Sequence, residues 1–346
     1  MSKLGSKKNS GLALRMTASL AVGALAATAL GGWSSAAGPK AAGIPTPATM
    51  TVVPAVADIN PLTGIEGLPT GPVIAVKIDD TALGRPSLGL EKADVVYIEE
   101  VEGGLTRMVA MFASATPNVR AVRSVRSSDI ELLGQYGRII LVASGGAGVT
   151  LRKLDASTLH SVINDRRQVG FFRDPSRPAP YNVVSELAKV SAAIEADGVR
   201  DVGFAWAGDD PRLADAKPAA TVSTKVGATA VGFVWDAKLA RYVRTVAGQP
   251  ILTESGDPVA KPNVLVQFCE ITVDSSVIDS NGRPTMFTES VGTGQVVLFR
   301  GGKRITGTWS RPSLDAPTTF TDTAGKPLLF APGGTFVALA RPGTPT

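Results

Sequence analysis

The sequence predicts an α+β fold, in which an N-terminal α/β domain with a mixed sheet precedes a β-rich C-terminal domain. In the first half, short continuous apolar runs alternate with segments of helical spacing, as is typical of strands buried on both faces and of the helices that cover them. In the second half, apolar runs recur between turn residues, and helical periodicity is nearly absent. The 346 residues suffice for two domains, which we place at residues 58–205 and 215–342.

Five strands and three helices are predicted in the first domain. The strands cover residues 73–78, 94–100, 107–113, 119–125 and 138–143, and the last of them is the most apolar. The helices cover residues 129–136, 148–154 and 183–196. Ser127 or Ser128 can cap the first helix, because a serine hydroxyl accepts a hydrogen bond from a backbone N–H group of the first turn.

The β-rich half contains eight predicted strands. They cover residues 202–207, 219–226, 230–235, 241–246, 263–274, 294–300, 303–309 and 336–339. Turn signals such as Gly301-Gly302 separate these runs. We place the boundary between the two domains between Gly198 and Lys217.

The first forty residues indicate export. Basic residues precede an apolar run from Met16 to Leu30, and small residues follow as far as Gly38. This is the order of a signal peptide, which we predict over residues 1–37. An uncleaved membrane anchor is the alternative, although the run is short and rich in Ala, Gly and Thr. Residues 38–57 are mainly Ala, Pro, Thr and Gly, and they predict a flexible linker.

Charge and cysteine content limit the classes of partner and of stabilisation. Four of the 35 basic residues lie before the predicted cleavage site and no acidic residue does, so the remaining chain has 31 basic and 30 acidic residues. This balance does not suggest the basic face that a nucleic-acid partner requires. Cys269 is the only cysteine, so an internal disulfide is excluded and the fold must depend on ordinary apolar cores.

The stretch over residues 98–129 has the densest charge. Three acids, a glycine pair and Arg107 come first, and three arginines then follow at a spacing of three. The last two flank a strand-to-helix junction, where guanidinium groups and a helix N-terminus favour a carboxylate or a phosphate. A glycine-rich loop after Ala143 can also direct N–H groups toward an anion. The predicted ligand-binding residues are Glu102, Arg107, Arg123, Arg126, Ser127, Ser144, Gly145 and Gly146.

Each of these features has a structural alternative. The arginines can instead form an internal ion-pair network with Glu99, Glu100 or Glu102, and the glycine loop can be a tight turn. Between the two junction arginines, Arg126 is the stronger candidate for binding because it follows the strand. Arg123 lies within the strand pattern and is the stronger structural candidate. Asp79 and Asp80, at a strand end, fit a hard cation, an acid–base pair or two solvated carboxylates.

Several kinds of site are excluded. His160 is the only histidine, so a Ser-His-Asp triad or a cysteine nucleophile would have to use it, and no serine lies in a Gly-x-Ser-x-Gly elbow. One histidine and one cysteine do not suffice for a zinc site. The glycine loop lacks the Lys-Ser/Thr ending of a nucleotide-binding loop. We therefore expect neither a metal nor a cofactor.

A set of short motifs, in a fixed order, carries a family resemblance. The motifs are Asn60-Pro61-Leu62-Thr63-Gly64, Gly89-Leu90 before Ala93-Asp94, Val101-Glu102-Gly103-Gly104 with Thr106-Arg107, Val122-Arg123-Ser124-x-Arg126, Ala179-Pro180-x-Asn182, Gly307-Thr308-Trp309-Ser310-Arg311 and Pro332-Gly333-Gly334-Thr335. With them, about residues 58–340 resemble the YerB-like family of bacterial extracytoplasmic proteins. The resemblance implies two domains and a cell-envelope location, and it supplies no reaction. This sequence departs from the family in lacking a lipobox cysteine and in having Tyr181 where many members have histidine.

Together these observations favour an exported, secreted or wall-associated protein that binds or scaffolds without catalysis. Its expected partner is an anionic wall component or a cell-wall enzyme, and it would contact the membrane only through an uncleaved N-terminal segment. The alternative is an envelope hydrolase that pairs Asp79 or Asp80 with one of Glu99, Glu100 and Glu102. Open carboxylates in a cleft would favour the hydrolase, and carboxylates held by arginines would favour the binding protein.

Overall fold

An eleven-stranded mixed sheet lies at the centre of the structure. The computed structural model describes residues 58–279 and 282–346, which belong to a single compact unit. The predicted signal peptide and linker lie outside the described residues. Within those residues, no helix is both long enough and apolar enough to cross a membrane.

Twenty-three strands and three α-helices occur in the described part of the chain. The strands before residue 210 are β1 Ile74–Asp79, β2 Val95–Glu100, β3 Thr106–Phe112, β4 Asn118–Arg120, β5 Ile140–Ala143, β6 His160–Ile163, β7 Phe171–Arg173, β8 Val183–Glu186 and β9 Ala205–Trp206. The later strands are β10 Lys217–Pro218, β11 Thr221–Val226, β12 Thr229–Asp236, β13 Arg241–Val246, β14 Gln249–Pro250, β15 Ala260–Lys261, β16 Asn263–Phe268, β17 Ile271–Ile278, β18 Pro284–Thr288, β19 Gly292–Arg300, β20 Lys303–Arg311, β21 Thr319–Asp322, β22 Leu329–Phe330 and β23 Thr335–Ala340. The helices are α1 Ser127–Gly134, α2 Gly148–Asp155 and α3 Leu187–Ala193.

The central sheet contains strands from both halves of the sequence. Its order is β10-β20-β19-β16-β23-β2-β3-β1-β5-β6, with β21 paired to β20. Strand β23 lies between β16 and β2 and runs parallel to both. Strands β1, β5 and β6 are also mutually parallel, while β3 is antiparallel to both β1 and β2. The predicted mixed sheet is therefore present, and it continues through both predicted domains.

Both faces of the central sheet are buried, which explains the continuous apolar runs. On one face, a five-stranded sheet of β11 to β15 contributes Val222 and Phe233 to a core that also includes Leu187 of α3. On the other face, α1 and α2 contribute Leu133 and Leu154 to a second core. These layers hold the polar ends of the central strands in fixed positions.

The predicted mixed sheet is confirmed, but the α/β character predicted for the first domain is not clearly present, because the described part of the chain is mainly β-structure with three short helices. Helix α1 lies close to its predicted position and α2 matches its prediction. The predicted helix over residues 183–196 instead begins as strand β8, which pairs with β4 and β7, and only Leu187–Ala193 is helical. The two valines at its start favour a strand because they are branched at Cβ.

Two predicted strands are interrupted. The run over residues 119–125 is a strand only as far as Arg120, because Ala121 has a φ of 62° and turns the chain out of the sheet. The run over residues 263–274 divides into β16 and β17, and β17 leaves the central sheet to form a two-stranded hairpin with β18. This β17–β18 hairpin adds a wall to the candidate site.

Candidate functional site

The candidate site lies where polar segments leave neighbouring strands of the central sheet. Strands β1, β5 and β6 are parallel, so their carboxyl ends lie at one edge, where ligands commonly bind to open sheets. Residues 144–147 follow β5, and Asn164 and Asp165 follow β6. The turn between β2 and β3 adds Glu102, and its two glycines, Gly103 and Gly104, have φ values of 70° and 71° that favour glycine. The sheet thus brings charged segments that are separate in the sequence to the same edge.

A cavity of about 590 Å³ opens at this edge. Six of the eight predicted binding residues line it, and these are Glu102, Arg107, Arg123, Arg126, Ser144 and Gly146. Val277, Ile278 and Asp279 of the β17–β18 hairpin segment form part of its wall. A cavity of this size accommodates a ligand as large as a short peptide or a sugar derivative.

Ser127 and Gly145 do not line the cavity but lie directly behind its wall. Ser127 is buried in the first turn of α1, with its hydroxyl 3.4 Å from that of Thr150, which does line the cavity. A Cβ atom on Gly145 would lie 2.1 Å from an oxygen of Asp165, so the small residue permits close approach of that carboxylate. Neither predicted serine cap is observed. The Asp129 carboxylate instead accepts a 2.7 Å hydrogen bond from the backbone N–H of Arg126, the residue that precedes α1.

Arg126 and Glu102 form a buried ion pair. An Arg126 nitrogen lies 2.5 Å from one oxygen of Glu102, and the Thr285 hydroxyl donates a 2.5 Å hydrogen bond to the other. Burial opposes ionisation of Glu102, but the hydrogen bond and charge of Arg126, together with Thr285, lower its pKa to about 2. Arg126 therefore belongs to an internal ion pair, although the sequence favoured it over Arg123 as the binding residue.

Arg123 is the more accessible of the two junction arginines. Its side chain is 18% exposed, against 9% for Arg126. One Arg123 nitrogen lies 3.3 Å from a carboxylate oxygen of Asp79, and the guanidinium lies 5.1 Å from the ring centre of Tyr181. Tyr181 thus supports an arginine of the cavity by a cation–π contact.

Arg107 makes no ion pair in the part of the chain that the structure describes. Its side chain donates a 3.2 Å hydrogen bond to the backbone carbonyl of Ser124. Burial and the nearby charges of Arg126 and Arg123 lower its pKa to about 9. The negative charges of Glu102 and Asp79 partly offset this lowering, but neither carboxylate forms an ion pair with Arg107 within the described residues.

Arg120, the first arginine of the predicted series, belongs to a different cluster. It is buried and lies 3.0 Å from Asp174, and it also pairs with Glu254. The spacing of three did not place the arginines on one surface, because the chain turns at Ala121. Only two of the three arginines therefore line the cavity.

The predicted acid–base candidates are all paired. Asp79 faces Arg123, and Asp80 lies 2.6 Å from Arg244. Glu100 lies 2.9 Å from Arg341. Glu102 forms an ion pair with Arg126, and Glu99 forms one with Lys77. None is an open carboxylate of the kind that the hydrolase alternative requires.

Lys77, Glu99 and Asp129 form a fully buried triad behind the cavity. Each side chain has 0% exposure, and the Lys77 ammonium contacts Glu99 and lies 2.7 Å from Asp129. The Ser128 hydroxyl donates a 3.2 Å hydrogen bond to Glu99. Burial outweighs the attraction of Asp129 and lowers the pKa of Lys77 to about 8. The triad joins β1, β2 and α1, the three elements that position the cavity.

The remaining titratable groups of the described residues show no recognisable catalytic arrangement. Cys269 is buried, and burial raises the pKa of its thiol well above the usual range. Within the described residues, no group of three His, Cys, Asp or Glu side chains has an arrangement that could hold a metal ion.

Three features of the cavity were missed by sequence reasoning. Lys77 carried a signal, because it interrupts the apolar run of a strand whose only other charged residue is its last, Asp79. Arg173 and Asp165 line the cavity from segments without a distinctive motif. The β17–β18 hairpin could not be anticipated, since its position depends on contacts between distant parts of the chain.

The geometry can be compared with known proteins. Two family models, described as the N-terminal and C-terminal domains of a protein of unknown function (DUF3048), match residues 62–200 and 220–337. "Putative lipoprotein YerB" of Bacillus subtilis is 28% identical over 286 residues, which cover 76% of this chain and 80% of the relative. The crystal structure of the YerB protein from Bacillus subtilis matches with a TM-score of 0.67 and 23% identity. That match covers 81% of this chain and 96% of the other and supports the fold alone.

The two family models together account for most of the chain, so it belongs to the DUF3048, or YerB-like, family. The resemblance inferred from the ordered motifs is confirmed.

Proposed function

We propose that this member of the DUF3048 family is an exported cell-envelope protein that binds an anionic ligand in its arginine-lined cavity without transforming it. The observation that carries the proposal is Arg107, a guanidinium in the cavity wall that has no ion partner among the described residues. Arg123 adds a second accessible guanidinium. Guanidinium groups bind carboxylates and phosphates through paired hydrogen bonds, so an anionic wall fragment or acidic polymer fits this wall.

A binding role is favoured over hydrolysis by the state of the carboxylates. A general acid or base must reach the substrate and must titrate near the working pH. Glu102 has a pKa of about 2 and is held by Arg126 and Thr285. Asp80 is buried and held by Arg244 and Thr106. The carboxylate-dependent hydrolase therefore has less support.

Location follows from the signal-like N-terminal sequence and agrees with the lipoprotein name of the relative. We expect cell fractionation to recover the protein in the wall or the medium. A mature mass lacking about 29–37 residues would indicate cleavage within the small-residue zone, and a full-length mass in the membrane fraction would indicate an anchor. Recovery mainly in the cytosol would contradict export.

The binding proposal predicts a specific loss in the Arg107→Gln variant. We expect its retention on purified cell-wall material to fall roughly ten- to hundredfold, because a hydrogen bond between charged groups contributes about 1.5–3 kcal/mol. Among the described residues Arg107 has no ion partner to leave unpaired, so thermal stability should change little. A sedimentation assay with wall material measures retention.

The matched control is Arg138→Gln, which removes an arginine whose side chain is 64% exposed and which does not line the cavity. It should leave retention unchanged. Equal retention of wild type and Arg107→Gln would count against the cavity as the binding site.

A further inference from the structure

Charges of both signs remain in the cavity wall once the internal ion pairs are set aside. Glu102 is neutralised by Arg126, and Asp79 lies against Arg123. Arg107 and Arg173 make no ion pair within the described residues, and Arg173 donates only a 2.9 Å hydrogen bond to the amide oxygen of Asn182. Asp165 is an acidic residue of the same wall, and so is Asp279, whose carboxylate accepts a 2.8 Å hydrogen bond from the backbone N–H of Arg283.

Asp165 is an exposed carboxylate without an ion partner in the described part of the chain. It follows strand β6, and its position is fixed by a 2.9 Å hydrogen bond from its backbone N–H to the carbonyl of Ser144. The Asn164 amide donates a 3.3 Å hydrogen bond to one carboxylate oxygen. The adjacent Arg166 does not neutralise it, because both terminal nitrogens of Arg166 bind Asp155 at 2.7 Å.

The close approach of Asp165 to Gly145 places this carboxylate against the loop that also supplies Ser144 and Gly146. The cavity therefore has a cationic part at Arg107 and Arg173 and an anionic part at Asp165. A purely anionic ligand would bring a like charge close to Asp165 in the same cavity. A ligand with charges of both signs would complement both parts, which is how electrostatic complementarity confers specificity.

From this arrangement we infer that the ligand carries a primary ammonium group as well as an anionic group, as does a short peptide with a free carboxylate and a free side-chain amine. The inference rests on the proposed function, because Arg107 holds the anionic group. Asp165 receives the ammonium, and Asn164 fixes the orientation of Asp165.

Two synthetic peptides that differ by one charge test this inference. Nα-acetyl-lysyl-D-alanine has one carboxylate and one ammonium, and its Nα,Nε-diacetyl form retains the carboxylate but has no ammonium. Calorimetric titration of the wild-type protein should show that the first peptide binds about tenfold more tightly, a difference typical of one charged hydrogen bond. Inorganic phosphate serves as a probe of the arginine part alone.

The variants separate the two ends of the site. Asp165→Asn should bind both peptides with the lower affinity, and Arg107→Gln should weaken both. Glu195→Gln removes an exposed carboxylate outside the cavity wall and should behave as wild type.

Failure of this inference is distinguishable from failure of the proposed function. Equal wild-type affinity for the two peptides, or binding of phosphate but of neither peptide, would overturn the ammonium site. If that residual binding still required Arg107, the proposed function would stand. Absence of binding by all three probes would overturn the ammonium site and count against the anion site as well.

Discussion

Replacement of Lys77 by methionine is expected to lower the free energy of unfolding by about 3–5 kcal/mol, the usual cost of leaving a buried charge without its partner. Methionine fills a similar volume but cannot neutralise Glu99 and Asp129, which both have 0% exposure. Urea denaturation followed by tryptophan fluorescence measures the change. Because the triad joins β1, β2 and α1, the variant should also bind wall material less well.

Lys189→Met is the matched control, since its ammonium pairs with Glu186 at 2.7 Å on the surface and its side chain is 63% exposed. We expect this variant to change stability by less than about 1 kcal/mol. Adding Glu99→Gln to Lys77→Met should recover part of the lost stability by removing one of the uncompensated charges. A cost for Lys77→Met no greater than that of the control would show that the triad is not needed for stability.

The second large effect is a loss of stability at acidic pH when Glu102 becomes protonated. The folded-state pKa of Glu102 is about 2, against an ordinary value of 4.5, so the folded protein binds this proton less readily than the unfolded chain. Its ionised form therefore stabilises the fold fully above pH 4.5, and this contribution is lost as the pH falls through the interval down to about 2. The shift corresponds to about 3 kcal/mol at 1.36 kcal/mol per unit.

Denaturation measured at several pH values in this interval, on wild type and Glu102→Gln, isolates the effect. Wild type should be more stable than the variant at neutral pH, and the difference should shrink by about 3 kcal/mol toward pH 2. Glu195→Gln, which alters an exposed carboxylate, should follow wild type throughout. A difference that did not change with pH would contradict the role assigned to the Arg126 pair.

Much of the site could be predicted because its residues are local in the sequence. Glu102 lies in the turn between β2 and β3, Arg107 lies near the start of β3, and Ser144 to Gly146 follow the apolar strand β5. Parallel strands then bring these ends to one edge. The ranking of Arg123 and Arg126 could not be predicted, because it depends on burial, and the residues that contact Glu102 include Thr285, 183 residues away along the chain. The sequence pattern shows whether a side chain is charged or apolar, but its burial depends on the residues that pack against it in the folded protein.

The helix predicted over residues 183–196 is only partly present for a similar reason. Residues 183–196 have helical spacing, but β4 and β7 offer hydrogen-bonding partners to their first four residues. Tertiary pairing thus overrides a weak local preference. The division of the chain into two sequence regions also gave no indication that β23 returns to pair with β2.

The position of β23 determines when the central sheet can be completed and whether parts of the chain can fold separately. On one side β23 bonds to β16, and on the other it bonds to β2, about 240 residues earlier in the chain. Until residues 335–340 are in place, β2 therefore has an unpaired edge. An unpaired edge can pair with another chain, so the incomplete protein is prone to aggregation. For the same reason, fragments cut at the boundary between the two family models should aggregate when expressed separately and recover solubility when coexpressed.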